Sequence, residues 1–170
     1  DASDTVSGGG SSIALLSNND GVDGPGDRAW ETTFGDIGTD LTESVDNDDY
    51  LEFTVTPDAG YFLDLTSISL FVADTGGSQP EVGVLTSVDG FTDFVLQGQR
   101  ADNSGNFISG PTDYEQFSTT LDSSFAGLTD PVTFRIFGSD DGASNQSNLY
   151  RLDDIQVEGT AELIPEPAAA

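Results

Sequence analysis

Apolar residues in this chain come in short runs that alternate with polar ones, and Gly, Ser, Thr, Asn and Asp interrupt them at intervals of roughly eight to twelve residues. That punctuation constrains the fold more than any other feature. A short alternating run has one apolar face as a strand and no coherent apolar face as a helix. Nine or ten such runs in 170 residues predict an all-β protein, an antiparallel jelly-roll-type β-sandwich.

The expected strands begin with Ser12–Leu16 and with Arg28–Phe34, which carries the only tryptophan, Trp30. Tyr50–Thr56 sets Leu51, Phe53 and Val55 on one face, and Pro57 to Gly60 has turn composition. Tyr61–Asp74, Glu81–Ser87, Phe94–Gln97, Tyr114–Leu121, Val132–Gly138 and Leu149–Gly159 follow. In Val132–Gly138 the alternation turns Val132, Phe134 and Ile136 one way and Arg135 the other. Phe125 to Leu128 reads as a short helical turn before Pro131, and helix signals are otherwise poor. Residues 1–11 read as a flexible lead-in or donor segment, 12–160 as one sandwich domain, and 161–170 as a tail.

Two strands change phase. Leu63 and Leu65 share one parity, while Ile68, Leu70 and Val72 share the other, so two strands or a bulge must lie near Thr66-Ser67. Likewise Tyr150 and Leu152 oppose Ile155 and Val157 in parity. Burying all four requires an extra residue at Asp153-Asp154, and such a bulge re-aims carboxylates.

Charge removes several functions. The formal net charge is −27, from 31 acids against four arginines, Arg28, Arg100, Arg135 and Arg151. Phosphate recognition needs a basic footprint, so no nucleic-acid partner is expected, and anionic membrane surfaces are disfavoured. No apolar run reaches the length of a membrane helix, so no membrane partner is expected for the mature form. Self-repulsion of this size calls for screening cations, although acidity also simply keeps a secreted protein soluble. With neither Cys nor His, there is no disulfide, thiolate, imidazole base or ordinary zinc site. The absence of Met at position 1, and everywhere else, suits a processed N-terminus behind a removed signal peptide.

The end of the chain, Ile164-Pro165-Glu166-Pro167 followed by alanines, resembles the C-terminal sorting region of bacterial PEP-CTERM proteins. Phe53-Thr54-Val55-Thr56-Pro57, Leu65 to Leu70, Ser87-Val88-Asp89-Gly90-Phe91, Pro131 to Gly138 and Leu152 to Val157 are similar to successive strands and turns of that family. The resemblance implies a jelly-roll-type body and exosortase-dependent export to the cell surface or exopolysaccharide matrix. In the family a membrane helix and basic tail follow the triplet; their lack here implies a processed or trimmed form.

Asp153-Asp154 in a last strand is also similar to the pair found in jelly-roll carbohydrate-binding modules, where one Asp ligates structural Ca²⁺. That likeness makes Asp154 or Asp153 a candidate ligand, with Asp20, Asp23 and Asp27 of the oxygen-rich first loop completing a shell. A solvated turn is the competing reading. Asp46 to Asp49 and Ser139 to Gly142 read as solvated loops able to share Ca²⁺ between molecules.

Three functions remain. The first is a non-enzymatic extracellular structural protein, self-associating into filaments by terminal strand exchange through Ile13, Leu15 and Leu16 or through Leu163 and Ile164. The second is a carbohydrate-binding module for exopolysaccharide, with Trp30 and Tyr114 as candidate sugar platforms, though core roles compete for both. The third is a glycosidase working with two carboxylates, which no motif marks.

Overall fold

The computed structural model describes residues 7–8, 12–15, 30–33, 40–48, 50–74, 81–99, 115–139 and 150–165, with the backbone alone at 7–8, 12–15, 30–33, 73–74, 150–151 and 153. Ten strands are present among them: β1 Ser7–Gly8, β2 Ser12–Leu15, β3 Trp30–Thr33, β4 Leu51–Val55, β5 Tyr61–Asp74, β6 Glu81–Thr86, β7 Leu96–Gln99, β8 Glu115–Thr120, β9 Val132–Ser139 and β10 Tyr150–Leu163. They form two five-stranded antiparallel sheets, A in the order β1-β4-β9-β6-β7 and B in the order β2-β3-β10-β5-β8. With β1 and β2 set aside, the remaining strands alternate between the sheets except for the β6–β7 hairpin within sheet A, which is the order of a double-sheet jelly roll. The protein is an all-β sandwich.

The core lies between the inner faces. Sheet A supplies Val82, Val84, Val132, Phe134 and Ile136, and sheet B supplies Ile68, Leu70, Val72 and Leu152, all with at most 2% exposure. Leu121 and Phe125 close one end. Phe125 belongs to a single 3₁₀ turn, Ser123–Phe125, slightly earlier than the turn expected from sequence.

The outer faces of the two sheets differ. On sheet A, Leu85 and Phe137 are buried although they point away from the main core, because α1, Leu41–Asp46, packs over them through Leu41. The sequence reading contains no such helix. Its start signal is Asp40, whose carboxylate accepts from Glu43 N at 2.9 Å and so caps the first turn. Ser44, fully buried, donates its hydroxyl to the Gly138 carbonyl at 2.8 Å and fastens α1 to β9. Asp46 and Asn47, expected in a solvated loop, end this helix. Sheet B has no comparable cover among the described residues.

Two boundaries also differ from expectation. Ser7–Gly8, inside the presumed lead-in, pairs with Leu51 and Glu52 of β4. The last strand continues through Leu163, antiparallel to the first residues of β5, past the tail boundary expected at 160.

Candidate functional site

The long β5–β10 pair carries both phase changes as bulges. Asp153 pairs with Phe71 and Gln156 with Ser69, so Asp154 and Ile155 together face Leu70. Further along, Glu158 pairs with Ser67 and Gly159 with Leu65, so Thr66 is the extra residue, now on β5. The second bulge, in the partner strand, restores the register that the first displaced. Asp154 absorbs the first at φ 45°, a left-handed conformation that Asp tolerates better than most residues.

The bulges decide which side chains face out. Without the extra residue at Asp154, strand alternation from the buried Leu152 would turn Gln156 and Glu158 inward. Without the one at Thr66, Ser67 and Ser69 would follow Leu63 and Leu65 into the core. Instead Ile68, Leu70 and Val157 take the inner positions, and four polar residues are presented on the outer face of sheet B.

Beside them lies β8, where Ser69 pairs with Ser118 and Ser67 with Thr120. Together with Gln116 these side chains line a shallow trough of about 670 Å³. Ser67 donates to Glu158 Oε2 at 2.9 Å, which holds the one carboxylate that lines it, and Thr66 Oγ1 donates to the Glu158 backbone carbonyl at 3.2 Å. At one end, β5 alternation turns the half-buried Phe71 to the same face, opposite Gln116 and Asp153. The stretch from Ser67 to Phe71 spans about 13 Å at 3.3 Å per residue.

This surface is a row of hydroxyls and carboxamides in a chain of charge −27. Among the described side chains that line it there is no cation, which an anionic ligand needs, and only one acid, where a cationic ligand prefers a cluster. Its donors and acceptors suit a neutral polyhydroxyl ligand, and Phe71 offers a ring for an apolar ligand face.

The residues singled out from sequence are distributed otherwise. Asp154 stands exposed at the first bulge, and Asp153 lies in β10 beside it. Asp20, Asp23, Asp27, Leu16 and Tyr114 lie outside the described residues, as do Asp49 and residues 140–142. Among the described residues no three acidic side chains converge as a metal-binding group. Trp30 pairs through its backbone with Leu152 of β10 and Leu15 of β2. Ile13 and Leu15 belong to β2, which pairs with β3 of the same chain. Leu163 and Ile164 are exposed, 67% and 46%. The trough residues were not singled out by sequence, although the two phase changes that expose them were; Phe71 was legible as an aromatic at the outward parity of β5.

A second concavity, of about 330 Å³, opens between the sheets where β6 and β8 end. Asp89, Asp93 and Asp122 rim it. Asp89 organises the β6–β7 turn, accepting from Phe91 N at 3.0 Å, Asp93 N at 2.8 Å and Thr92 Oγ1 at 3.1 Å. Asp122 Oδ1 accepts from Ser124 N at 2.8 Å and Ser124 Oγ at 2.5 Å. The serine hydroxyl first, then its backbone N–H, hold the Asp122 carboxyl below the usual carboxylate range.

No family model and no curated protein sequence matches the chain. Solved structures do. The C-terminal family 22 carbohydrate-binding module of Clostridium thermocellum Xyn10B matches with a TM-score of 0.51 and 12% identity, over 92% of this chain and 85% of that one. The CBM22-1–GH10 modules of the endo-1,4-β-D-xylanase 10B of C. thermocellum, complexed with xylohexaose, match with a TM-score of 0.50 and 9% identity, over 97% of this chain. This chain spans 27% of the length of that one. At such identities the likeness shows a common β-sandwich fold.

Proposed function

We propose that this protein is a non-catalytic extracellular carbohydrate-binding module that lays a neutral polysaccharide along the outer face of sheet B. The observation that carries this reading is the trough between the bulges: hydrogen-bonding side chains, neutral apart from Glu158, fixed by strand register on a sheet face that no described helix covers. The fold likeness to a family 22 module supports it.

Affinity electrophoresis through gels containing xylan, mannan or soluble β-glucan tests the reading. The wild-type protein is retarded by at least one of them. Gln116→Ala combined with Gln156→Ala lowers affinity about tenfold, the equivalent of one or two net hydrogen bonds, without altering thermal stability. A wild-type protein retarded by none of these polysaccharides, or one that releases reducing ends from them, defeats the proposal.

Export through a PEP-CTERM-type pathway belongs to the same reading, with exopolysaccharide as the partner. So does a structural Ca²⁺ held by Asp154 and the first loop, which a rise in melting temperature on adding CaCl₂, reversed by EDTA, would detect. A second reading, homotypic assembly, draws on the exposed Leu163 and Ile164. Leu163 ends, and Ile164 follows, a strand whose side away from β5 has no paired strand from Gln156 onward among the described residues. Sedimentation velocity of the wild type and of Leu163→Ser tests this reading; a wild-type monomer at high concentration excludes it.

A further inference from the structure

The second half of β10 directs a row of backbone groups away from the sandwich. Leu63 on β5 exchanges both of its backbone hydrogen bonds with Leu128, each at 2.9 Å, and so gives none to Ala161, its partner across the ladder. The N–H and C=O of Ala161 therefore point away from β5. Two bonds on the β5 side fix the alternation: Ile164 N donates to the Gly60 carbonyl at 2.9 Å, and the Glu158 carbonyl accepts from Thr66 Oγ1. Val157, Gly159, Ala161 and Leu163, of the opposite parity, hence turn four N–H and C=O pairs outward. β3 stops pairing with β10 at Leu152, and no described strand lies beside those four residues. Every residue from Glu158 to Pro165 is exposed.

Such an edge is a template for a further strand, and folded proteins commonly block it with charges, prolines or bulges. Here the core-side positions carry Val157, Gly159, Ala161 and Leu163, small or apolar side chains that block nothing, and Leu163 is 67% exposed. The β10 bulge lies earlier, at Asp154, so the edge itself is regular. On the outer face Glu158 and Glu162 stand four residues apart. Those acids oppose a second copy, which brings the same pair and its own charge of −27. They attract a strand with cations in register. This chain cannot supply one: it has no Lys, and Arg28, Arg100, Arg135 and Arg151 are far apart in sequence.

We infer that the edge of β10 from Val157 to Leu163 takes an extended strand from a different, basic polypeptide. Its Lys or Arg side chains, four residues apart, meet Glu158 and Glu162, and apolar side chains at the alternate positions cover Ala161 and Leu163. Main-chain hydrogen bonds supply the affinity and the alternating side chains the register. This occupant differs from the second copy considered above, and the edge shares only Glu158 with the trough.

Fluorescence anisotropy with labelled peptides at physiological ionic strength tests it. The alternating basic peptide VKVTVKV should bind saturably, whereas the scrambled KKVVTVV and the acidic VEVTVEV should not. Ala161→Pro removes an N–H that the β5–β10 ladder does not use, so it should lower the affinity about tenfold while the melting temperature stays near wild type. Glu162→Gln should lower the affinity about threefold, as expected for one exposed ion pair. No binding of VKVTVKV, equal binding of the scrambled peptide, or an affinity unaltered by Ala161→Pro overturns the inference. So does a wild type that self-associates in sedimentation velocity and is returned to monomer by Ala161→Pro, which gives the edge to a second copy. If the proline variant does not fold, amide NMR of the wild type decides: peptide-induced shifts at residues 157–163 support the edge, and shifts only elsewhere overturn it.

Discussion

Arg135 and Glu52 stand directly opposite each other on β9 and β4, and the guanidinium Nε donates to Glu52 Oε2 at 2.8 Å. The same guanidinium lies 4.3 Å from the ring centre of Tyr50 and 4.0 Å from that of Phe91. Both charged side chains are about a quarter exposed, so solvent screens the ion pair only in part. A planar cation meeting two rings and a carboxylate is a task for which Lys is a poor substitute. Arg135→Lys should therefore cost about 1 kcal/mol and Arg135→Ala about 2–3 kcal/mol in urea unfolding. Equal stability of the wild type and Arg135→Lys would show that the ring contacts contribute nothing.

The bulge at Asp154 sets a second expectation. Its φ of 45° disfavours a β-branched residue, while Asn retains the left-handed preference. Asp154→Asn should keep stability near wild type in the absence of calcium, and Asp154→Val should lose about 1–3 kcal/mol. Because the bulge turns Gln156 and Glu158 outward, the valine variant should also bind polysaccharide less well. Full binding by a destabilised Asp154→Val would uncouple the trough from the bulge.

Asp122 and Ser124 give a pH dependence whose sign follows from the lowered pKa. A carboxyl with a depressed folded-state pKa stabilises the fold above its unfolded-state value and loses that contribution as the pH falls through the folded-state value. Ser124→Ala should raise the Asp122 pKa toward that of a free carboxylate, followed by NMR titration of its side-chain carboxyl carbon. Its acid-unfolding curve should shift toward higher pH. The group is fully exposed, so the shift is small, and an Asp122 pKa unmoved by the substitution would remove Ser124 as its cause.

Gly98 on β7 lies under the ring of Phe117 from β8, where the two sheets approach at their edges. A Cβ at Gly98 would overlap Phe117 Cδ1, a rigid ring atom rather than the end of a flexible chain. Gly98→Ala should cost about 1–3 kcal/mol by overpacking. Gly98→Ala combined with Phe117→Leu should recover part of that loss, because the pair is in contact and the changes are not additive. Independent, additive losses measured by chemical denaturation would contradict this packing.

Much of the fold is legible in the local pattern. The alternation in Val132–Ser139 shows which side chains enter the core, and the outward Arg135 follows from it. Both bulges are legible too, because burying Leu65 with Ile68, or Leu152 with Val157, is impossible at constant parity. α1 is not legible in the same way. Six residues carry too little periodicity, and its apolar residues gain their meaning from Leu85 and Phe137, which are distant in sequence.

The candidate sites divide along the same line. Sequence alone determined that Ser67, Ser69, Gln156 and Glu158 oppose the apolar set of their strands, because side-chain direction is a local, two-residue property of the backbone. Only the tertiary structure decided that β8 lies beside β5 and β5 beside β10, so that these residues share one face with Gln116 and Ser118. Strand adjacency is chosen by the packing of whole sheets, which no short window of sequence contains.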